Sequence, residues 1–222
     1  MGTRQKSIGQ MKTLQQYGVG FGILQALLLI FAGQALAREK LVLAFGDSLT
    51  AGYGLKATES FPAQLQMALR KNGIAARVHN GGVSGDTSAA GKARLAWVLA
   101  SLKLKPDLVI LELGANDMLR GLQPAQTRAN LEAMMAELSR RKISVLIAGM
   151  RASPNMGKNY QAQFDPLYPA LARKYRAPLY PFFMNGVAAN RALLIADGMH
   201  PNNKGVAVIV RGIYPQVAAK LR

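Results

Sequence analysis

The chain has 222 residues, of which 50% are hydrophobic and 18% charged, a balance that excludes a disordered protein and suits one well-buried domain rather than two of ordinary size. It has no cysteine, so disulfides, thiol nucleophiles and thiolate metal sites are excluded together. Its formal charge of +17 comes from scattered Lys and Arg with no run of five and no interleaved aromatics, which argues against a nucleic-acid partner and leaves an anionic membrane surface or an anionic substrate as equal explanations.

Residues 1–37 hold Arg4, Lys6 and Lys12 and no acid, which leaves a formal +14 for the rest. From Thr13 to Ala37 there is no charge, and the segment includes the apolar run from Ile23 to Phe31 before closing on Ala35-Leu36-Ala37. A basic start, an apolar middle and an A-x-A ending are those of a secretory signal peptide cut after Ala37. An uncleaved anchor is the alternative, since the stretch is long enough to span a bilayer. The expected domain is residues 38–222, periplasmic or secreted.

The apolar run from Leu41 to Phe45 has the length and composition of a buried strand and stops at Gly46. A helical period follows over residues 61–71, with Phe61, Leu65, Ala68 and Leu69 on one face, and then a short strand over 75–79. Residues 87–102 are helical again, with Ala90, Ala93, Leu95, Val98 and Leu102 apolar. Pro106 announces a buried strand over 107–113. A helix over 131–141, a strand over 144–150, a helix over 160–175, a short strand at 179–180 and a helix over 206–221 complete the chain. Strands alternating with helices of this length predict an α/β fold whose parallel sheet is covered on both faces.

Chemistry-bearing residues collect just after the predicted strands, the edge where ligands bind in open α/β sheets. After the first comes Asp47-Ser48: a hydroxyl held in such a turn is a nucleophile if a base reaches it, yet Asp and Ser are also favoured helix caps. After the second comes a glycine-rich stretch from Gly81 to Thr87, which either offers a backbone N–H to a ligand or forms a tight turn capped by Asp86 or Thr87. After the third, Asn116 in Gly114-Ala115-Asn116-Asp117 has an amide suited to an oxyanion or to an Asx-turn. Of the two histidines, His200 follows Asp197 by three residues, so a carboxylate is in place to hold the imidazole in the tautomer a serine nucleophile needs. His79 has no acid close before it and reads as a structural residue at a strand end.

Taken together, Gly46-Asp47-Ser48-Leu49, Gly85-Asp86-Thr87, Gly114-Ala115-Asn116-Asp117 and Asp197-Gly198-Met199-His200-Pro201 resemble, in order and spacing, the four blocks of the SGNH (GDSL) hydrolases. The likeness extends to that family's bacterial group of multifunctional thioesterases, lysophospholipases and arylesterases through residues 48–53, 84–88, 119–124 and 181–184, so it spans nearly all of residues 38–222. It implies a three-layer α/β/α flavodoxin-like fold with a parallel sheet of about five strands. It also implies a periplasmic hydrolase of small-molecule acyl esters, thioesters or lysophospholipids, without cofactor or metal. Carried over residue by residue, Ser48 is the nucleophile, His200 the general base and Asp197 its orienting group, with the oxyanion held by the backbone N–H of Ser48 and of Gly85 and by the Asn116 amide. Ala115 departs from the glycine common in the third block, and its methyl is expected at the pocket entrance. Acyl specificity is expected from the loops 84–86, 118–122 and 150–156.

Two other readings stay open on this scaffold. A carbohydrate O-acetylesterase would want an aromatic platform, and the single tryptophan, Trp97, lies in a helical pattern. A non-catalytic lipid or membrane-surface binder would use the +14 charge, but Ser48, His200 and Asn116 are all in place; transient association of an enzyme with a membrane surface is compatible with the same charge.

Overall fold

The structure is a computed structural model and describes residues 38–222; the expected signal peptide or anchor, residues 1–37, lies outside them. Five strands, Lys40–Gly46 (β1), Ala76–Gly82 (β2), Leu108–Glu112 (β3), Ser144–Ala148 (β4) and Leu179–Tyr180 (β5), pair in parallel in the order β2-β1-β3-β4-β5. β3 is buried throughout and β1 beyond Lys40, because a strand between two helical layers has no solvent face.

The helices are Ser48–Ala51 (α1), Phe61–Lys71 (α2), Ser88–Ser101 (α3), Ala115–Leu119 (α4), Pro124–Arg140 (α5), Lys158–Phe164 (α6), Leu167–Tyr175 (α7) and Asn203–Leu221 (α8). α2 packs with α8, and α5 with both α3 and α7. Right-handed crossovers produce these two layers when the chain steps outward from β1 to β2 and then returns across β1 to β3. The three-layer α/β fold with five parallel strands is therefore as expected. The reversal of direction at β1 also opens a crevice between the carboxyl ends of β1 and β3, the place where such sheets bind ligands.

Several boundaries differ from the sequence reading, each for a local reason. β2 runs on through Gly81 and Gly82, which pair with Phe45 and Gly46 instead of starting the loop. Only glycine fits there: a Cβ on Gly82 would lie 2.3 Å from the Ala51 backbone nitrogen. α5 starts seven residues earlier than expected, at Pro124, a favourable first helical residue; its first two turns bury only Pro124 and Thr127 and so show no apolar period. The helix expected over 160–175 breaks at Asp165-Pro166 into α6 and α7, since proline removes a donor and crowds the preceding turn. In α3 the buried face is Gly91, Leu95, Val98 and Leu99, whereas Ala90 and Ala93 face solvent, a methyl group being too small to dictate burial. α8 begins three residues early, capped by Asn202, whose side chain accepts from Gly205 N–H. The one-turn helices α1 and α4 were too short to leave a period at all.

Candidate active site

Asp47 ends the β1 crossing and caps α1, its Oδ1 accepting from Leu49 N–H at 3.0 Å. The capping role falls to Asp47 alone, which leaves Ser48 at the first helical position with its hydroxyl free to point into the crevice. His200 Nε2 lies 2.9 Å from Ser48 Oγ, and His200 Nδ1 lies 2.6 Å from Asp197 Oδ2. The other Asp197 oxygen accepts from Met199 N–H at 2.8 Å and His200 N–H at 3.0 Å. Some burial pushes the Asp197 carboxyl up, but these backbone bonds and the His200 ring outweigh it and bring the pKa down to about 2. With Asp197 anionic, Nδ1 carries the imidazole proton and Nε2 is left to accept from Ser48. The loop is closed at its base by a bridge between Leu194 and Pro201, where Ile195 N–H donates to His200 O at 2.9 Å. Tyr53 packs over the His200 ring at 4.6 Å between centroids.

Asn116, in α4 after β3, donates from Nδ2 to Asp47 Oδ2 at 3.1 Å and to Asp86 O at 3.0 Å, so it ties together the turns that follow β1, β2 and β3. The backbone N–H groups of Ser48 and Gly85 make no hydrogen bond among the described residues. Gly85 is held from both sides: Arg120 Nη2 donates to its carbonyl at 2.8 Å, and Arg94 pairs with its neighbour Asp86 at 2.5 Å while donating to Gly46 O at 3.0 Å. Thr87, not Asp86, caps α3. Ser48, Gly85, Asn116, Asp197 and His200, the five site residues singled out from the sequence, thus stand around one point at the sheet edge. His79 does not; it is exposed on β2, its pKa lowered by partial burial and by Arg77.

A cleft of about 780 Å³ opens beside Ser48, within the range of small-molecule sites and walled mostly by apolar side chains. Of the loops expected to set acyl specificity, Ser84, Gly85, Met118, Leu119 and residues 150–154 line it, as does Ala115, while Asp86, residues 120–122, Asn155 and Met156 stand outside its wall. Phe182, Met184 and Leu194 form a further wall that sequence reasoning did not assign; the only signal was the family likeness of residues 181–184. Sequence reasoning also missed three polar residues beneath the site. Asp117 accepts from Ser88 N–H and Oγ and from Thr127 Oγ1, anchoring α3 and α5. Arg94 is the second, and the third is Glu112, which read as part of an apolar strand. Among the described residues no cluster of three or more His, Asp or Glu is placed to hold a metal, and no helix is long and apolar enough to cross a membrane.

Comparison with known proteins places these residues in context. Residues 44–208 match the profile of the GDSL-like lipase/acylhydrolase family. Esterase TesA of Pseudomonas aeruginosa is 39% identical over 188 residues, 85% of this chain and 92% of its own. Thioesterase 1/protease 1/lysophospholipase L1 of Escherichia coli is 37% identical over 175 residues, 79% of this chain and 81% of its own. The crystal structure of AlinE4, an SGNH-hydrolase family esterase, is 52% identical and superposes with a TM-score of 0.71, covering 84% of this chain and 98% of AlinE4.

The Arg94–Asp86 pair has side chains only 18% and 11% exposed, so removing the cation leaves a carboxylate in a poorly hydrated place. Arg94→Ala is expected to destabilise the fold by about 2 kcal/mol or more, read from urea unfolding. An unchanged midpoint would show that Asp86 does not depend on this partner.

Proposed function

The chain belongs to the GDSL-like lipase/acylhydrolase family, the SGNH serine hydrolases, and from that premise we propose that Ser48, His200 and Asp197 carry out its hydrolysis of esters and thioesters. The observation that supports this assignment is the unbroken line from Asp197 through His200 to Ser48 at the mouth of an apolar cleft. Ser48 Oγ attacks the acyl carbon as its proton passes to His200 Nε2, and Asp197 stabilises the imidazolium that forms. The oxyanion lies against the N–H groups of Ser48 and Gly85, and Asn116 shares one of its amide hydrogens with it as the charge develops. Collapse expels the alcohol or thiol, which takes the proton from His200, and leaves acyl-Ser48. Water then attacks the acyl carbon with His200 again as base, and Ser48 regains its proton.

The acyl group occupies the apolar cleft, which favours a hydrocarbon chain over acetyl. Among the cleft residues the aromatics are Tyr53, Phe182 and His200, too few for the platform of a carbohydrate O-acetylesterase. With p-nitrophenyl esters, kcat/KM should climb about fourfold per added methylene until the cleft is filled. Ser48→Ala should abolish turnover, and Asn116→Ala should lower kcat about 10²- to 10³-fold. An optimum at acetyl would return weight to the carbohydrate reading, and full activity in Ser48→Ala would end the assignment.

The uncharged stretch and A-x-A ending of residues 1–37 support export to the periplasm. Protein recovered there from the full-length gene is expected to begin at Arg38; retention of residues 1–37 in a membrane fraction would favour the anchor. The cleft wall carries exposed Tyr53, Leu119, Met199 and Arg151, and exposed Arg120 and Arg191 lie against its residues Gly85 and Gly198, which suits a substrate taken from an anionic lipid surface. Residues 38–222 are expected to sediment with phosphatidylglycerol vesicles at low salt and to be released at high salt. Equal binding to phosphatidylcholine vesicles would rule out the electrostatic part.

A further inference from the structure

Directly beneath the nucleophile turn, two carboxyls share a pocket that no cation enters. Glu112, the last residue of β3, and Asp47 are both 0% exposed, and neither forms an ion pair with Lys or Arg among the described residues. Glu112 Oε2 accepts from Asp47 N–H at 3.2 Å and from the Thr50 hydroxyl at 2.8 Å, while Oε1 is buried without a partner among the described residues, a place costlier for a charged oxygen than for a neutral one. Gly46 makes the room: a Cβ there would lie 2.4 Å from Oε2.

The other charged or titratable groups around this pair are accounted for. Tyr168 of α7 donates its hydroxyl to Leu113 O, Asp117 of α4 is occupied by Ser88 and Thr127, and Arg94 of α3 stops at Gly46 O and Asp86. His200 acts on Asp47 from the far side of Ser48. A charge on either carboxyl opposes a charge on the other. Full burial and the facing Asp47 charge push Glu112 well above the carboxylate range. Burial pushes Asp47 up, and Leu49 N–H, His200 and Asn116 hold the rise to about 6; with these partners Asp47 takes the charge, and Glu112, one of whose oxygens has no partner among the described residues, keeps the proton.

We propose that Glu112, as the neutral acid, is a positioning residue for the hydrolysis: it seats the turn through Asp47 N–H and Thr50 Oγ1, keeps Ser48 Oγ on His200, and leaves Asp47 as the lone anion that holds Asn116. The inference rests on Ser48 being the nucleophile. Glu112 is absent from the cleft wall, so its loss acts on kcat and not on KM. Ionisation of Glu112 puts a second negative charge beside Asp47, loosens the turn and lowers kcat at alkaline pH.

The test is kcat and KM for a short p-nitrophenyl ester against pH, for wild type, Glu112→Gln and Thr50→Val, with Ser48→Ala as the blank. Glu112→Gln copies the neutral acid; it should keep kcat within about threefold near pH 7 and lose the alkaline decline that wild type shows. Thr50→Val should lower kcat roughly 10-fold at unchanged KM. A collapse of kcat in a folded Glu112→Gln would mean that the carboxylate is needed, and an alkaline limb identical to wild type would mean that Glu112 does not titrate; either overturns the proposal. If Glu112→Gln fails to fold, infrared spectroscopy of wild type labelled in its glutamate carboxyls decides: a protonated-acid band at neutral pH supports the proposal, and its absence overturns it. Wild type without esterase activity would instead defeat the assignment of Ser48, and the infrared band would still report the Glu112 proton.

Discussion

The site depends on one carboxylate being shared. Asp47 Oδ1 closes the first turn of α1 and Oδ2 takes the amide of Asn116, so a single buried side chain sets the Ser48 turn after β1 and the Asn116 turn after β3 against each other. Neither turn is long enough to hold its shape by helix propensity: α1 has four residues and α4 five. Each is rigid because it is bonded into the other and because the strands they follow are registered, Gly46 opposite Glu112 on one side and Gly82 on the other. The loop after β2 joins the same network through Asp86 O and the Arg94 guanidinium. His200 arrives from the far end of the chain on a loop with its own closure, the bridge at Leu194 and Pro201, and needs only the contact with Ser48 to complete the line.

How far all this could be read from the sequence follows from what each residue's signal depends on. The apolar strands were legible because burial on both faces forces a continuous hydrophobic run, whereas Ser48, Gly85, Asn116, Asp197 and His200 each sit beside a strand end or turn that also suits a cap or a tight turn, and were legible as candidates only through the resemblance of the four blocks taken together. The split of α6 from α7 could have been taken from Pro166 alone. The early start of α5 could not, since its outer turns touch little. Glu112 was hidden for a deeper reason: one acid within an apolar strand has no periodic signature, and its meaning comes from Asp47 and Thr50, 65 and 62 residues away in the chain. Arg94 and Asp117 are hidden in the same way, as residues of helices whose partners belong to other segments.

The placement of charge has its own order. The acids nearest the reacting groups, Asp47, Asp86, Glu112 and Asp117, are all buried and committed to internal bonds, while Asp197 is committed to His200 and its neighbours. Exposed acids such as Glu39 and Glu137 pair with Arg70, and with Arg140 and Arg141, away from the cleft. Exposed Arg120, Arg151 and Arg191 therefore stand near the crevice with Asp197 as the exposed acid of its wall, although every turn that builds the site contains a carboxylate.

Four methionines, Met118, Met150, Met184 and Met199, line the cleft. Each thioether turns about three bonds and slides past a neighbour without a branched side chain's fixed shape, so this wall can be redrawn by whatever lies against it. The polar edge formed by Asp47, Asn116 and His200 has no such latitude. A compliant wall and a fixed polar edge are thus separate material properties of two sides of one groove, and the first can drift without any change in the second.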